Sequence, residues 1–200
     1  MSENTEPQNA VKPPATEGLL EAARREGRRG PPPVHLWNPP FCGDLDMEIR
    51  RDGTWFYLGT PIGREALVRL FASILKLEDG KYFLVTPVEK VGIRVVDAPF
   101  VAVDFAATGA GQAQSLSFTT NVGDTVTAGP DHAIRVTFDA GGEPAPYVHI
   151  RRGLEALIDR KSFYRLVDLA VPGAHDGAEW LGLWSGGQFF PITPMDDLPT

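Results

Sequence analysis

Two hundred residues, 42% hydrophobic and 22% charged, supply enough apolar surface for one large domain or two small ones. A formal net charge of −7 argues against a general nucleic-acid or anionic-membrane binder, which needs a clustered positive surface, but leaves room for a local basic pocket. Cys42 is the only cysteine, so an intramolecular disulfide and a four-cysteine zinc site are excluded, and a reducing, cytoplasmic location is expected.

Residues 1–37 read as a flexible N-terminal arm. The first 17 are polar and Pro-containing, with neither the basic start nor the apolar stretch of a secretory signal. No run reaches the ~20 apolar residues of a membrane span. Gly18 to Glu26 fits a short helix carrying Leu19, Leu20 and Ala23. The arginines Arg24, Arg25, Arg28 and Arg29 are either a partner-docking arm or a solvated, frayed helix. Gly30-Pro-Pro-Pro33 then reads as a polyproline spacer that lands at Trp37–Phe41.

Residues 38–96 read as a first α+β domain. Leu45–Arg50 and Thr54–Leu58 predict two strands around Asp52-Gly53, a dipeptide suited to hairpin turns with positive φ. Gly59-Thr-Pro61 breaks the strand, with the helix N-cap at Thr60 or Gly63. Leu67, Leu70, Phe71 and Ile74 fall at the spacing of one helical face, and that helix is expected to run to about Leu77 and stop at Glu78-Asp-Gly80. Strands over Lys81–Thr86 and Gly92–Val96 follow.

Residues 97–200 read as a second domain of short strands: Phe100–Ala106, Ser115–Thr119, Thr125–Ala128, His132–Asp139 and Tyr147–Ile150. The turn clusters between them point to an antiparallel sheet or small barrel. One long helix is expected from Gly153 to about Ala170, and a final hairpin over Trp180–Trp184 and Gln188–Ile192. Glu65-Ala-Leu-Val68 and Glu155-Ala-Leu-Ile158 suggest an internal repeat, each behind an arginine-containing corner, and the last hairpin resembles the first.

The usual catalytic signatures are absent. Gly182-Leu-Trp-Ser-Gly186 lacks nucleophile-elbow spacing, and Gly109-Ala-Gly111 lacks the third glycine of a dinucleotide fingerprint. The four histidines are scattered, and Asp131-His132 offers two metal ligands with no third indicated, so no metal site is expected. Cys42 reads as a small core or edge residue. The suggestive feature is positive charge at corners: Arg64, Lys90 and Arg152 either bind an anion or pair with nearby carboxylates such as Glu65, Asp52 and Glu155. Asn121, Asp124 and Asp131 sit in turns, where they bond the local backbone or reach a sugar or base edge.

The succession Asp52-Gly-Thr-Trp-Phe-Tyr57, Gly59-Thr-Pro-Ile-Gly-Arg64, Tyr82-Phe-Leu-Val-Thr-Pro87, Asp97-Ala-Pro-Phe100, Thr120-Asn-Val-Gly-Asp124 and Arg152-Gly-Leu-Glu-Ala-Leu-Ile158 resembles the bacterial domain-of-unknown-function family 1285, over roughly residues 38 to 192. The resemblance implies two small α+β domains from a duplicated core, the second like a pleckstrin-homology fold. It also implies a site for a nucleotide-like ligand in the cleft between them, a role in signalling, and no catalytic residues. Combined with the corner charges, this leads us to expect a non-catalytic sensor holding a small anion through Arg64, Lys90 and Arg152, with Asn121 and Asp131 as polar contacts. Its cofactors and protein partner stay unassigned. A hydrolase using Asp124, Asp131 and His132, or an adaptor using the arginine arm, are the alternatives.

Overall fold

In this chain, alternation of apolar and polar residues sets most elements, and helical spacing sets few. In β1 (Phe41–Ile49) Leu45, Met47 and Ile49 point inward while Asp44, Asp46 and Glu48 face out. The computed structural model describes residues 18, 21, 24 and 32–197. Gly18, Glu21 and Arg24 are helical, and the rest of the expected N-terminal arm before Pro32 lies outside the described residues.

The first sheet holds β1, β2 (Trp55–Tyr57), β3 (Thr60–Pro61), β4 (Leu75–Glu78), β5 (Lys81–Val85) and β6 (Lys90–Val95), in the order β3-β2-β1-β6-β5-β4. Its two halves are antiparallel meanders joined by the parallel pair β1–β6. Helix α1 (Glu65–Ser73) connects β3 to β4. The second sheet repeats this plan with β7 (Phe100–Thr108), β8 (Ser115–Thr120), β9 (Thr125–Thr127), β10 (Ile134–Phe138), β11 (Pro144–Arg151) and β12 (Leu154–Ile158), in the order β10-β11-β12-β7-β8-β9. Here β7–β12 is the parallel pair, and a short turn replaces α1 between the third and fourth strands. Helix α2 (Arg160–Val167) follows, then a three-stranded sheet of β13 (Val171–His175), β14 (Ala178–Ser185) and β15 (Gln188–Pro194). The architecture is α+β with two similar domains. Strands followed by a helix is the order expected of the second.

One continuous buried cluster joins both six-stranded sheets to the helices and the last hairpin, from Ile49, Trp55 and Phe71 through Phe100, Leu116 and Ile158 to Leu166 and Phe190. Trp55 stacks on Phe71 with ring centroids 6.2 Å apart, fastening α1 to its sheet. Burying a side chain such as Phe71 stabilises by ~1.5–3 kcal/mol, so Phe71 and Ile74 hold the helix in place while Leu67 and Leu70 are half-buried beside them.

Several expectations need correction. Neither Thr60 nor Gly63 caps α1: Thr60-Pro61 is paired with β2, and the helix begins after Arg64. The helix ends at Ser73, because Leu75 and Leu77 alternate with Lys76 and Glu78 as a strand. Asp79-Gly80, with φ of 48° and 75°, is therefore a two-residue hairpin turn, not a helix stop. Leu154–Ile158 is likewise a strand, with Leu154, Ala156 and Ile158 buried in alternation. The long second helix shrinks to α2, capped by the Asp159 carboxylate, which accepts from Ser162 N–H at 2.7 Å. The duplication is in the topology, and the repeat read from the sequence was in the wrong register: Glu65-Ala-Leu-Val68 belongs to α1, whereas Glu155-Ala-Leu-Ile158 occupies the sixth strand. The last hairpin lies in the third sheet, outside both copies.

Candidate functional site

Three segments meet at one edge of the junction between the two sheets: the second half of α1, the β8–β9 turn and the β11–β12 turn. They enclose a cleft of about 340 Å³ whose lining includes Arg69, Ala72, Ser73, Asp124, Arg151 and Arg152. Arg151 is the fixed member. A bulge between His149 and Arg151 turns the end of β11, and the guanidinium donates to the Ala72 carbonyl of α1 at 2.9 Å and to the Asp124 carboxylate. It also lies 4.9 Å from the Phe100 ring centroid. Asp124 is held in turn by its own N–H, which donates to the buried Thr120 hydroxyl at 3.0 Å.

Arg152 and Arg69 are the open members. Arg152 is exposed, sits at φ 47° in the two-residue turn before Gly153, and makes no ion pair among the described residues. Arg69 is exposed and reaches Glu65 one helical turn away at 3.3 Å, an arrangement that holds weakly in water. Of the three guanidiniums, Arg151 is paired with Asp124 and Arg69 with Glu65, which leaves one positive charge in excess, on Arg152.

The sequence-predicted site residues do not all converge here. Arg152 lines the cleft. Arg64 is exposed beside α1 and lines a separate groove with Arg24, Ala66, Leu67 and Leu70, so the two arginine corners do not share one space. Lys90 is committed to Glu78 at 2.7 Å, with Lys76 at 2.6 Å on the other carboxylate oxygen. Hydrogen bonds from Lys76 and then Lys90 hold the Glu78 carboxyl below its ordinary range. Asn121 braces the two sheets: its carbonyl oxygen accepts from Val101 N–H at 3.0 Å and its amide donates to the Gly53 carbonyl at 3.3 Å.

Asp131 is exposed, and its backbone carbonyl bonds His149 Nδ1 at 2.8 Å. His149 Nε2 accepts from Gly153 N–H at 3.0 Å, so the neutral ring carries its proton on Nδ1. His132 Nδ1 bonds the His149 carbonyl at 3.0 Å, and the two imidazoles stack 5.8 Å apart. Neither Asp131 nor His132 lines the cleft that Asp124 lines. Among the described residues no three His, Cys, Asp or Glu side chains gather to hold a metal ion, and no helix is long and apolar enough to cross a membrane.

Arg69 and Arg151 are the cleft arginines absent from the expected ligand contacts, although Arg151 shares the arginine-rich corner with Arg152. Arg69 reads as the polar face of α1, and Arg151 as strand or corner; the Arg-Arg-Gly triplet at a turn signals Arg151, and no local pattern signals Arg69.

A second polar cluster marks the link between the sheets. Asp97 receives the Tyr147 hydroxyl at 2.7 Å from the second sheet and pairs with Arg51 at 3.1 Å from the first. Burial, then the bond to Asp97, pushes the Tyr147 phenol up to about 12.

Two family models match in succession. Residues 32–98 match a "Domain of unknown function (DUF1285), N-terminal domain", and residues 99–192 match a "Protein of unknown function (DUF1285), C-terminal domain". No curated protein matches the chain. Among solved structures, the chain is similar to a DUF1285 family protein from Silicibacter pomeroyi DSS-3, at 64% identity and a TM-score of 0.82, over 90% of this chain and 97% of that one. It is also similar to a DUF1285 family protein from Shewanella baltica OS155, at 32% identity and a TM-score of 0.50, over 62% of this chain and 91% of that one. With both sheets spanned by these matches, the chain belongs to the bacterial DUF1285 family.

Proposed function

We propose that this protein is a non-catalytic binding or sensor module that holds a small phosphate-bearing anion in the cleft between its two sheets. The convergence of Arg69, Arg151 and Arg152 on one cavity carries the reading, since guanidinium forks match phosphate oxygens and the site has charge to spare. A signalling role fits the position of Arg151, which ties α1 to the β8–β9 turn, so a ligand there bears on how residues 38–96 sit against residues 97–200. The free, half-buried Cys42 thiol accords with a reducing cytoplasm. A hydrolase built on Asp124, Asp131 and His132 has less support, because the three do not line one cavity and His132 Nδ1 is occupied by a backbone carbonyl. An adaptor acting through the arm rests on residues mostly outside those described.

Thermal-shift titration with inorganic phosphate, sugar phosphates and nucleotides tests the reading. A ligand at 100 times its Kd stabilises by about 2.7 kcal/mol, which raises the melting temperature by roughly 5–10 °C in a chain of this size. Arg152→Asn is the informative variant. Asn tolerates the left-handed conformation better than Arg, so the unliganded fold is expected to melt no lower, while the ligand shift falls away. No shift with any phosphate compound at millimolar concentration would refute the assignment.

A further inference from the structure

We infer that the cleft takes a phosphorylated polyol of sugar size, with no nucleobase. This rests on the anion-binding reading above and narrows its ligand class.

A nucleobase is gripped largely by stacking on an aromatic ring or by a set of groups that read its edge. Among the described residues lining the cleft there is no aromatic side chain, and its neutral walls are Pro32, Ala72 and Val122. The Phe100 ring near Arg151 is fully buried and already covered by that guanidinium. The remainder of the chain cannot add a ring: residues 1–31 and 198–200 contain no Phe, Tyr, Trp or His. The cleft, at about 340 Å³, is also at the small end of the ~300–1,000 Å³ range of ligand sites.

The remaining polar groups call for hydroxyls. Arg69 and Arg152 are donors suited to a phosphate. One Asp124 carboxylate oxygen is taken by Arg151, and the other has no partner among the described residues. The Ser73 hydroxyl donates to the Leu70 carbonyl at 2.7 Å, so it can serve a ligand only as an acceptor. Two acceptors therefore sit in a cationic cleft. A bare phosphate or polyphosphate supplies them few donors and is repelled by Asp124. A sugar phosphate satisfies both sets: phosphate oxygens on the guanidiniums, and hydroxyls on Asp124 and Ser73, much as an acidic side chain receives ribose hydroxyls in dinucleotide sites.

Isothermal titration of the full chain with ribose 5-phosphate, glucose 6-phosphate, AMP and inorganic phosphate separates the cases. A sugar phosphate is expected to bind at least ten-fold more tightly than inorganic phosphate, with AMP within three-fold of ribose 5-phosphate. Asp124→Asn is expected to shrink the sugar-over-phosphate preference to under three-fold. Ser73→Ala, which leaves the Arg151 pair intact, is expected to weaken sugar phosphates several-fold and leave inorganic phosphate unchanged. AMP binding ten-fold tighter than ribose 5-phosphate would reveal a base contact and overturn the inference while sparing the anion site. Equal affinity for ribose 5-phosphate and inorganic phosphate overturns it as well. No binding by any of the four removes the anion site itself.

Discussion

Asn121 gives the sharpest stability prediction, because its amide is the polar bridge between the β1–β2 turn and β7. Asn121→Ala removes the bond to Val101 N–H at 3.0 Å and the bond to the Gly53 carbonyl at 3.3 Å. Each is worth ~0.5–1.5 kcal/mol net, and an unpaired buried donor costs ~1–3 kcal/mol. Val101 is 8% exposed, so its stranded N–H is poorly rescued by water. Together these predict a loss of about 2–3 kcal/mol in urea unfolding, or roughly 5–10 °C in melting temperature. Gly53 supplies the cross-check. It sits at φ +81°, and a Cβ there would lie 2.5 Å from Asn121 Nδ2 and 3.0 Å from Val101 Cγ2. Gly53→Ala therefore costs the ~1–2 kcal/mol of left-handed strain plus a collision. In the double variant the closest colliding atom is gone, so the two losses combine to less than their sum, by about 1 kcal/mol. An Asn121→Ala protein within 0.5 kcal/mol of the parent, or strict additivity of the pair, would refute this account.

The other predictions use the same reasoning. Ser185 is fully buried; its hydroxyl donates to the Ala128 carbonyl at 2.7 Å and accepts from Leu116 N–H at 2.9 Å, so Ser185→Ala is expected to lower unfolding free energy by about 2–3 kcal/mol in a denaturant titration. A Cβ on Gly182 would stand 2.5 Å from the Phe190 backbone carbonyl, whereas one on Gly92 would collide with the movable Asp44 carboxylate and otherwise touch the Phe41 ring at an ordinary 3.7 Å; Gly182→Ala should destabilise by about 2 kcal/mol or more and Gly92→Ala by under about 1 kcal/mol. Tyr147, raised to about 12 against an ordinary value of 10.0, stays protonated where the unfolded chain ionises. Its contribution is therefore complete below pH 10 and is lost as pH rises toward 12, by up to about 1–2 kcal/mol after allowing for solvent screening. Unfolding measured at pH 9 and pH 11 should show this loss in the parent and a smaller one in Tyr147→Phe.

Local signals served where one side chain settles a backbone choice. Asp52-Gly53 was legible as a turn because Asp-Gly suits positive φ, and the inward residues of β1 were legible from simple alternation. The same dipeptide at Asp79-Gly80 reads as a helix stop from the sequence, because the apolar face of α1 runs into Leu75 and Leu77, which satisfy a period of two as well as one of 3.6. Leu154–Ile158 failed for the same reason: five residues with apolar groups at first, third, fourth and fifth positions fit either element. Asp159, a strong N-cap three residues before the buried Ser162, was the overlooked marker of where α2 begins.

The candidate site was legible only in part. Arg152 stands out as a charged residue at a glycine turn, but nothing near it in the chain says that Arg69 lies across the cleft. Likewise Lys90 and Asn121 read as ligand contacts, and Glu78 and Gly53 turn out to be their partners. What the sequence by itself determined is local: which faces of the strands are apolar, where the chain reverses, and that one thiol can form no internal bridge. What only the tertiary structure decided is which corners meet. That choice rests on the parallel pairs β1–β6 and β7–β12, each closing across roughly fifty residues, and on the single core that the two sheets share. Pairing over such distances is selected by the packing of whole faces against each other, and no local pattern of residues encodes it.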